Sequence, residues 1–195
     1  MKGVGVKNCT VARISDNKNL ITQYKTLLVK FTKDEVIGVA FSKLKPEKKD
    51  VFADIGCHSC KVSAFFSPYV KKVYAVDLSL KNVKQEYVKD NVELLEMSGM
   101  EFLKNYRVDL IFFGGTKDIE EMIKLAFERG AKKCCVSAAR IEVAIKAKKA
   151  MEELGVFEEI TAVCIWKSYE LAGYTAFKPI NPVFLVTGVV SCSTE

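Results

Sequence analysis

Residues 51–77 read VFADIGCHSCKVSAFFSPYVKKVYAVD. A short apolar run, Val51–Ile55, is followed by a glycine-containing turn and then by helical apolar spacing at Lys61–Phe66. A second apolar run, Val73–Val76, ends at Asp77. Strands that alternate with helices form parallel sheets, and ligands bind beyond the carboxyl ends of such strands. The stretch therefore predicts a βαβ unit whose first turn faces a ligand.

The turn and the acid together indicate a nucleoside cofactor. Backbone N–H groups between a strand and a helix point towards a ligand at the helix N-terminus. Asp77 follows Gly56 by 21 residues, a spacing at which an acid ending the second strand accepts hydrogen bonds from both ribose hydroxyls. The alternative is that Gly56 only makes a turn and Asp77 only caps the next helix.

The alternation of strands and helices continues along the chain from residue 32. Two successive C-terminal strands predict a hairpin, so we expect an α/β, Rossmann-like fold with a mostly parallel seven-stranded sheet and an antiparallel C-terminal strand. Residues 1–31 do not join the pattern and are predicted to be an extension of a domain spanning residues 32–195. The further predicted helices are Lys33–Lys45 (N-cap Thr32, ended by Pro46), Lys81–Lys89, Ile119–Arg129 and Ile141–Leu154, and the further strands are Val92–Leu95, Val108–Phe113, Lys133–Ser137, Phe157–Trp166 and Val183–Val190, with Lys167–Asn181 as a polar connection.

Composition narrows the class of protein. A chain of 195 residues with 49% hydrophobic and 28% charged residues fits one globular domain. Its net charge of +6 favours an anionic partner: a polycarboxylate, a phosphate ester or a nucleic acid. No signal peptide or bilayer-length apolar run is visible. The seven irregularly spaced cysteines are typical of a reducing compartment, so we expect a cytoplasmic protein without a membrane partner.

The sequence Cys57-x-x-Cys60 has two further interpretations. It could be a redox pair, or it could bind a metal together with His58. A structural zinc needs four ligands, and no fourth ligand stands at a useful spacing, so we predict no metal site. Several aromatic residues could form platforms for nucleic-acid bases, but their positions favour the protein core. These aromatics are Phe65, Phe66, Phe112, Phe113 and Trp166.

Several motifs occur in the order found in one known family. They are Phe31-Thr32-Lys33-Asp34-Glu35-Val36, Asp54-Ile55-Gly56-Cys57, Val73-Tyr74-Ala75-Val76-Asp77, Gly114-Gly115, Asn181-Pro182-Val183 and Thr187-Gly188-Val189. Over about residues 25–190 the chain resembles the cobalt-precorrin carbon-15 methyltransferase (decarboxylating) family of cobalamin biosynthesis. That family belongs to the class I methyltransferases, which use S-adenosylmethionine (SAM). The glycine turn and the acid are common to most of that class, whereas the first motif and the Asn-Pro-Val strand are more particular to the family.

The resemblance implies a SAM-dependent C-methyltransferase that acts on an anionic tetrapyrrole and assembles as a homotetramer, with nucleic acid not expected as a partner. No catalytic side chain is assigned. The implied cofactor-binding residues are Thr32, Gly56, Cys57, His58, Ser59, Cys60, Asp77, Ser98 and Gly99, and the implied substrate-binding residues are Gly114, Gly115 and Thr116.

The chain departs from the family pattern at three cofactor positions. His58 and Cys60 stand where the family has glycines, and Ser98 stands where it usually has Asp. Two alternatives to the main prediction therefore remain. The protein could be a degenerate member that binds a tetrapyrrole or acts as a scaffold, or a methyltransferase for another substrate such as RNA.

Overall fold

The computed structural model describes residues 32–190. The predicted extension, residues 1–31, lies outside the described residues. In chain order the elements are α1 (Asp34–Leu44), β1 (Val51–Ile55), α2 (Lys61–Phe66), β2 (Lys72–Asp77), β3 (Val92–Glu96), α3 (Gly99–Asn105), β4 (Leu110–Phe113), α4 (Ile119–Glu128), β5 (Lys133–Ala138), α5 (Ile141–Glu153), β6 (Phe157–Leu171) and β7 (Tyr174–Val189).

The strands form one seven-stranded sheet in the order β3-β2-β1-β4-β5-β7-β6. Strands β1 to β5 are parallel, and β7 lies antiparallel between β5 and β6. This arrangement confirms the predicted fold class. The strand order reverses between β1 and β4, and such a switch point opens a crevice for a ligand.

Alternate residues of the strands bury two cores, one on each face of the sheet. Ala53 and Ile55 of β1 join the core beneath α3, α4 and α5. Phe52 points to the opposite core beneath α1 and α2, where its ring stacks on Phe66 at a centroid distance of 4.2 Å. Because both faces are covered, the central strands are continuous apolar runs, which is why the sequence predicts them well.

The final hairpin extends past the rest of the sheet. Pairing of β7 with β5 ends at Ala138 opposite Phe184, whereas pairing of β6 with β7 continues to Leu171 opposite Tyr174. The hairpin turn places Ala172 and Gly173 at φ +51° and +81°, as a two-residue turn between twisted strands requires. We call residues 165–180 the arm; it projects beyond the carboxyl edge of the parallel strands.

The arm corrects two sequence predictions. Lys167–Asn181 is not a polar connection but lies almost entirely in strands. Both faces of the arm are open, so its residues lack the alternation that marks a half-buried strand. Trp166 is 62% exposed and is not a core residue; Phe65 is also 41% exposed, whereas the other three aromatics singled out are buried as predicted.

Two further predictions were wrong in local detail, and one helix was missed. Lys81–Lys89 is not a helix; two separate 3-10 turns, Leu80–Asn82 and Gln85–Tyr87, occupy this region. Thr32 is not the N-cap of α1; Lys33 is, without a side-chain capping bond. Helix α3 was not predicted, although Ser98 and Glu101 form a capping pair at its start.

An acidic pair and one lysine hold the amino edge of the sheet together. Asp109 Oδ2 accepts a hydrogen bond of 2.8 Å from the backbone N–H of Val51. Lys132 Nζ lies 2.9 Å from Asp109 Oδ1 and 3.2 Å from Asp50 Oδ1. Burial alone would raise the pKa of Asp109, but the Val51 hydrogen bond and Lys132 lower it below its ordinary value.

We predict that Asp109→Asn makes the protein less stable at pH 7 by about 1 kcal/mol or less, since Asn keeps the acceptor but loses the partly exposed ion pair. A carboxyl with a lowered folded-state pKa stabilises above its unfolded pKa and loses this contribution as pH falls. Urea unfolding between pH 7 and pH 3 should show that the free energies of unfolding of the two proteins become equal at low pH. A difference that is constant with pH would contradict the prediction.

Candidate functional site

The turn after β1 is fastened to the end of β2. The carbonyl of Val76 accepts hydrogen bonds from the N–H groups of Gly56 and Cys57, at 2.8 and 3.1 Å. Within the turn, Cys60 N donates to Cys57 O at 2.8 Å. The turn is thus fixed at the switch point of the sheet, where the sequence predicts the ligand.

Asp77 connects this turn to the neighbouring strand end. Its Oδ2 atom accepts a hydrogen bond of 2.9 Å from the backbone N–H of His58. Its Oδ1 atom has a longer contact of 3.3 Å with the N–H of Ser79. The carboxylate is half-buried and keeps acceptor capacity for a ligand hydroxyl group. Asp77 therefore also supports the turn, a structural role that the sequence did not predict.

The turn touches the loop after β4 without space for a side chain. Gly56 has φ +85°, and a Cβ atom there would lie 2.3 Å from Gly115 N. The N–H groups of Gly114 and Gly115 both donate to the carbonyl of Ile55, at 2.8 and 3.0 Å. Thr116 follows directly in the chain. The structure thus brings the predicted substrate-binding residues against the predicted cofactor turn.

His58 and Cys60 adopt the backbone conformation that glycine favours. Their φ angles are +47° and +64°. A side chain in this left-handed region costs about 1–2 kcal/mol. The turn therefore keeps the backbone path of a glycine loop despite its two side chains. Cys60 is fully buried in the core beneath α1 and α2, so the loop packs around this side chain.

The remaining predicted cofactor residues lie at the same edge. Ser98 is the N-cap of α3, and its Oγ accepts a hydrogen bond of 3.1 Å from Glu101 N; Gly99 follows as the first residue of that helix. Met97 N donates to the carbonyl of Asp77 at 2.9 Å, which sets this segment beside the acid.

Thr32 precedes α1, whose first turn lies close to the glycine turn. Asp34 forms an ion pair of 2.7 Å with Lys61, the first residue of α2. Lys61 directly follows Cys60, so this pair brings the N-terminus of α1 near the turn.

Sequence reasoning missed one residue of this site, Asp54. It is the penultimate residue of β1, lies on the α2 side of the sheet and is 1% exposed. Its Oδ2 atom accepts hydrogen bonds from the N–H and the hydroxyl of Ser63, at 3.0 and 2.6 Å. The available signal was an acid inside an otherwise apolar strand, VFADI. A charged group in such a position needs partners or a role.

The two thiols of the turn are close together but unbonded. Cys60 Sγ lies 3.7 Å from Cys57 Sγ, and both side chains are buried. The hydrogen bond between the thiols, burial and the nearby carboxylates raise the pKa of Cys57. Thiolates are the reactive form, so this environment disfavours redox chemistry. Within residues 32–190, no group of three or more His, Cys, Asp or Glu side chains could hold a metal ion.

Comparison with known proteins agrees with this geometry. The profile of the precorrin methyltransferase domain family matches residues 28–189. The chain belongs to this family. It is 55% identical over 161 residues to an Archaeoglobus fulgidus protein named as a probable cobalt-precorrin-6B C(15)-methyltransferase (decarboxylating), covering 82% of this chain and 97% of that protein.

Two solved structures of similar proteins share the whole fold. A Geobacter metallireducens protein described as precorrin-6y C5,15-methyltransferase superposes with a TM-score of 0.77 at 27% identity, covering 84% of this chain and 93% of that one. A Methanobacterium thermoautotrophicum protein described as precorrin 8w decarboxylase gives 0.74 at 26% identity, covering 82% and 92%. The resemblance predicted from the sequence motifs is therefore confirmed, and the family is one of methyltransferases.

The left-handed backbone at residue 60 predicts an unusual order of mutant stabilities. Cys60→Ala loses the sulfur contacts, at a cost of about 1–2 kcal/mol. Cys60→Gly loses slightly more side chain but gains about 1 kcal/mol from relief of the positive φ. We expect the Gly variant to be at least as stable as the Ala variant in urea unfolding.

Cys135 is the matched control, because it is equally buried but lies in β5. There Cys135→Gly should be clearly less stable than Cys135→Ala. An equal difference between Gly and Ala at both positions would show that residue 60 carries no backbone strain.

Proposed function

We propose that the chain is a SAM-dependent methyltransferase that methylates carbon 15 of a cobalt-precorrin, with loss of a carboxyl group, in cobalamin biosynthesis. The observation that carries this proposal is the 55% identity to the Archaeoglobus fulgidus relative, over 97% of that relative's length. The site supports it, because the described turn and strand ends keep the backbone arrangement of a class I cofactor site.

The residues present fit the cofactor. Asp77 offers acceptor capacity at a strand end, where ribose hydroxyls bind in such folds. The turn at residues 56–60 would approach the methionine part of SAM through its backbone, and its left-handed conformations keep the path that glycines would give. Ser98 and Gly99 would lie towards the adenine, and Thr32 would approach from α1. When bound, SAM supplies a methyl group already activated by its sulfonium.

The chain's own residues would bind the cofactor and the substrate and orient them. The hydrogen bonds that the N–H groups of the turn donate to Val76 and Asp77 fix its shape before any ligand arrives, which lowers the entropy cost of alignment. Gly114, Gly115 and Thr116 would border the substrate, since Gly115 is in contact with the cofactor turn. We assign no side chain to proton transfer or to the loss of the carboxyl group.

The arm provides a second region for the anionic tetrapyrrole. It projects past the same edge of the sheet at which the cofactor turn lies. Lys167 and Lys178 are opposite each other on one face of the arm. Lys167 pairs with Glu35 at 2.6 Å, and Lys178 lies over the Tyr169 ring at 5.8 Å. Cationic and aromatic groups in one place suit a planar molecule with many carboxylates.

We predict that Asp77→Ala weakens SAM binding by about 1–3 kcal/mol, since hydrogen bonds to a charged acceptor are lost. Part of this loss would come from the turn, because Asp77 also accepts from His58 N. Asp77→Asn keeps that acceptor and removes the charge, so it should lose less. Calorimetric titration with SAM measures both effects.

Glu96→Ala is the matched control, because Glu96 ends β3 directly opposite Asp77 in register. It should bind SAM as the parent does. If the parent binds SAM and Asp77→Ala binds equally well, the assignment of the pocket is wrong. If the parent does not bind SAM, the degenerate, non-catalytic alternative gains support.

We further propose that the protein assembles as a homotetramer through its arm. Four large apolar side chains of the arm are more than half exposed, two on each face of the hairpin, and exposed apolar groups of this size mark interaction surfaces. They are Trp166 at 62%, Leu171 at 56%, Tyr174 at 79% and Phe177 at 60%.

Among residues 32–190 no helix is long and apolar enough to cross a bilayer. The five free thiols of the described residues support a cytoplasmic location.

Phe177→Lys should dissociate the assembly, since a charge would then have to be buried at each contact. We expect light scattering after gel filtration to give a tetramer for the parent and a smaller species for the variant. Ile145→Lys on α5 is the control, because Ile145 is 40% exposed but lies outside the arm. A monomeric parent, or an unchanged mass for Phe177→Lys, would contradict this prediction.

A further inference from the structure

Asp54 is a buried carboxyl group of which only one oxygen is satisfied. Ser63 donates twice to Oδ2. Oδ1 has no hydrogen-bond partner among the described residues. A buried acceptor without a partner is costly, and more so when it is charged. The structure therefore leaves one buried oxygen of Asp54 that a proton could occupy.

The neighbours of Asp54 do not supply a compensating positive charge. Its partners in the adjacent strands are Ala75 of β2 and Phe112 of β4. Asp77, at the end of β2, repels a charge on Asp54. On α2, Lys61 forms its ion pair with Asp34 instead. From the turn, the thiol of Cys57 lies close enough for its charge to interact with that of Asp54.

This environment keeps Asp54 partly protonated. Burial raises the pKa of Asp54 to about 7; the two hydrogen bonds from Ser63 oppose the rise, and the charge of Asp77 adds to it. SAM, by contrast, carries a net positive charge, because its sulfonium and ammonium groups outnumber its carboxylate. A cation near a carboxyl group favours the ionised form. Binding of the cofactor and ionisation of Asp54 should therefore support each other.

We infer that Asp54 holds a proton in the free protein and releases it when the cationic cofactor occupies the turn that follows β1. The O–H bond of the carboxylic acid breaks, the proton passes to the solvent, and the carboxylate stays hydrogen-bonded to Ser63. This inference rests on the proposed function, since it takes SAM as the ligand. In it Asp54 acts as an electrostatic sensor of cofactor charge.

The coupling has a definite sign. Below pH 7 the proton on Asp54 must leave before or during binding, so the affinity for SAM falls as the pH falls, by up to about tenfold per pH unit. Above pH 7 the group is already ionised, and its contribution to the pH dependence disappears. An exchange of protons on binding is thus expected at pH 6 and is expected to be small at pH 8.

Calorimetric titration of the full chain with SAM, in buffers of different ionisation enthalpy, measures the protons exchanged. For a pKa of about 7 we expect about nine-tenths of a proton released per SAM at pH 6 and about one-tenth at pH 8. If heat of binding is observed but is the same in every buffer at pH 6, the inference is overturned while the proposed cofactor stands. If no buffer shows binding, the proposed function itself fails.

Variants identify which side chain releases the proton when SAM binds. Asp54→Asn keeps an acceptor for Ser63 and should bind SAM without proton release. Ser63→Ala removes the hydroxyl hydrogen bond that favours the carboxylate but keeps the one from the backbone N–H, so proton release should extend to higher pH. This variant also tests the inference if Asp54→Asn does not fold. Asp109→Asn, at the opposite edge of the sheet, should release a proton as the parent does. Release that is lost in His58→Gln but kept in Asp54→Asn would overturn the inference.

Discussion

The close approach of Gly56 to Gly115 is the constraint on which the functional edge of this domain depends. The two loops after β1 and β4 touch through backbone atoms, and a single Cβ at residue 56 would come within 2.3 Å of a neighbouring nitrogen. Because β1 and β4 flank the switch point, this contact fixes the floor of the crevice. Hydrogen bonds that the turn donates to Val76 and Asp77 then hold it from the other side. The proposed cofactor and substrate regions therefore share one rigid boundary.

Much of the fold could be predicted because burial on both faces leaves a strong signal. Lys61–Phe66 has the predicted bounds, and the central strands were placed within a residue or two, since few alternatives bury such apolar runs. The signal fails where a segment is not buried. The arm has two open faces and no alternation to detect, and the region after β2 folds into 3-10 turns that local propensity does not distinguish from a helix. Helix α3 is short, and its capping serine was assigned to the cofactor instead.

The location of the candidate site could be predicted from the sequence, but its hydrogen bonding and electrostatic properties could not. The order of strand, glycine turn and acid placed Gly56 and Asp77 at the correct edge of the sheet. It could not show that Asp77 also binds the turn, since that hydrogen bond depends on the left-handed backbone at His58. Nor could it single out Asp54, whose importance depends on the burial of one oxygen and on the distance to another carboxylate. Such properties arise from three-dimensional packing, and a motif does not encode them.

The position of β7 in the sheet has a consequence for how the domain reaches its folded state. β7 lies between β5 and β6, although it follows both in the chain. Until residues 184–189 are available, β5 is an unpaired edge that presents Cys134, Cys135 and Val136, all of which are fully buried in the finished fold. Exposed apolar strand edges pair readily with other chains. During synthesis the nascent protein therefore carries an open apolar edge until β7 inserts, and this edge could pair with other chains.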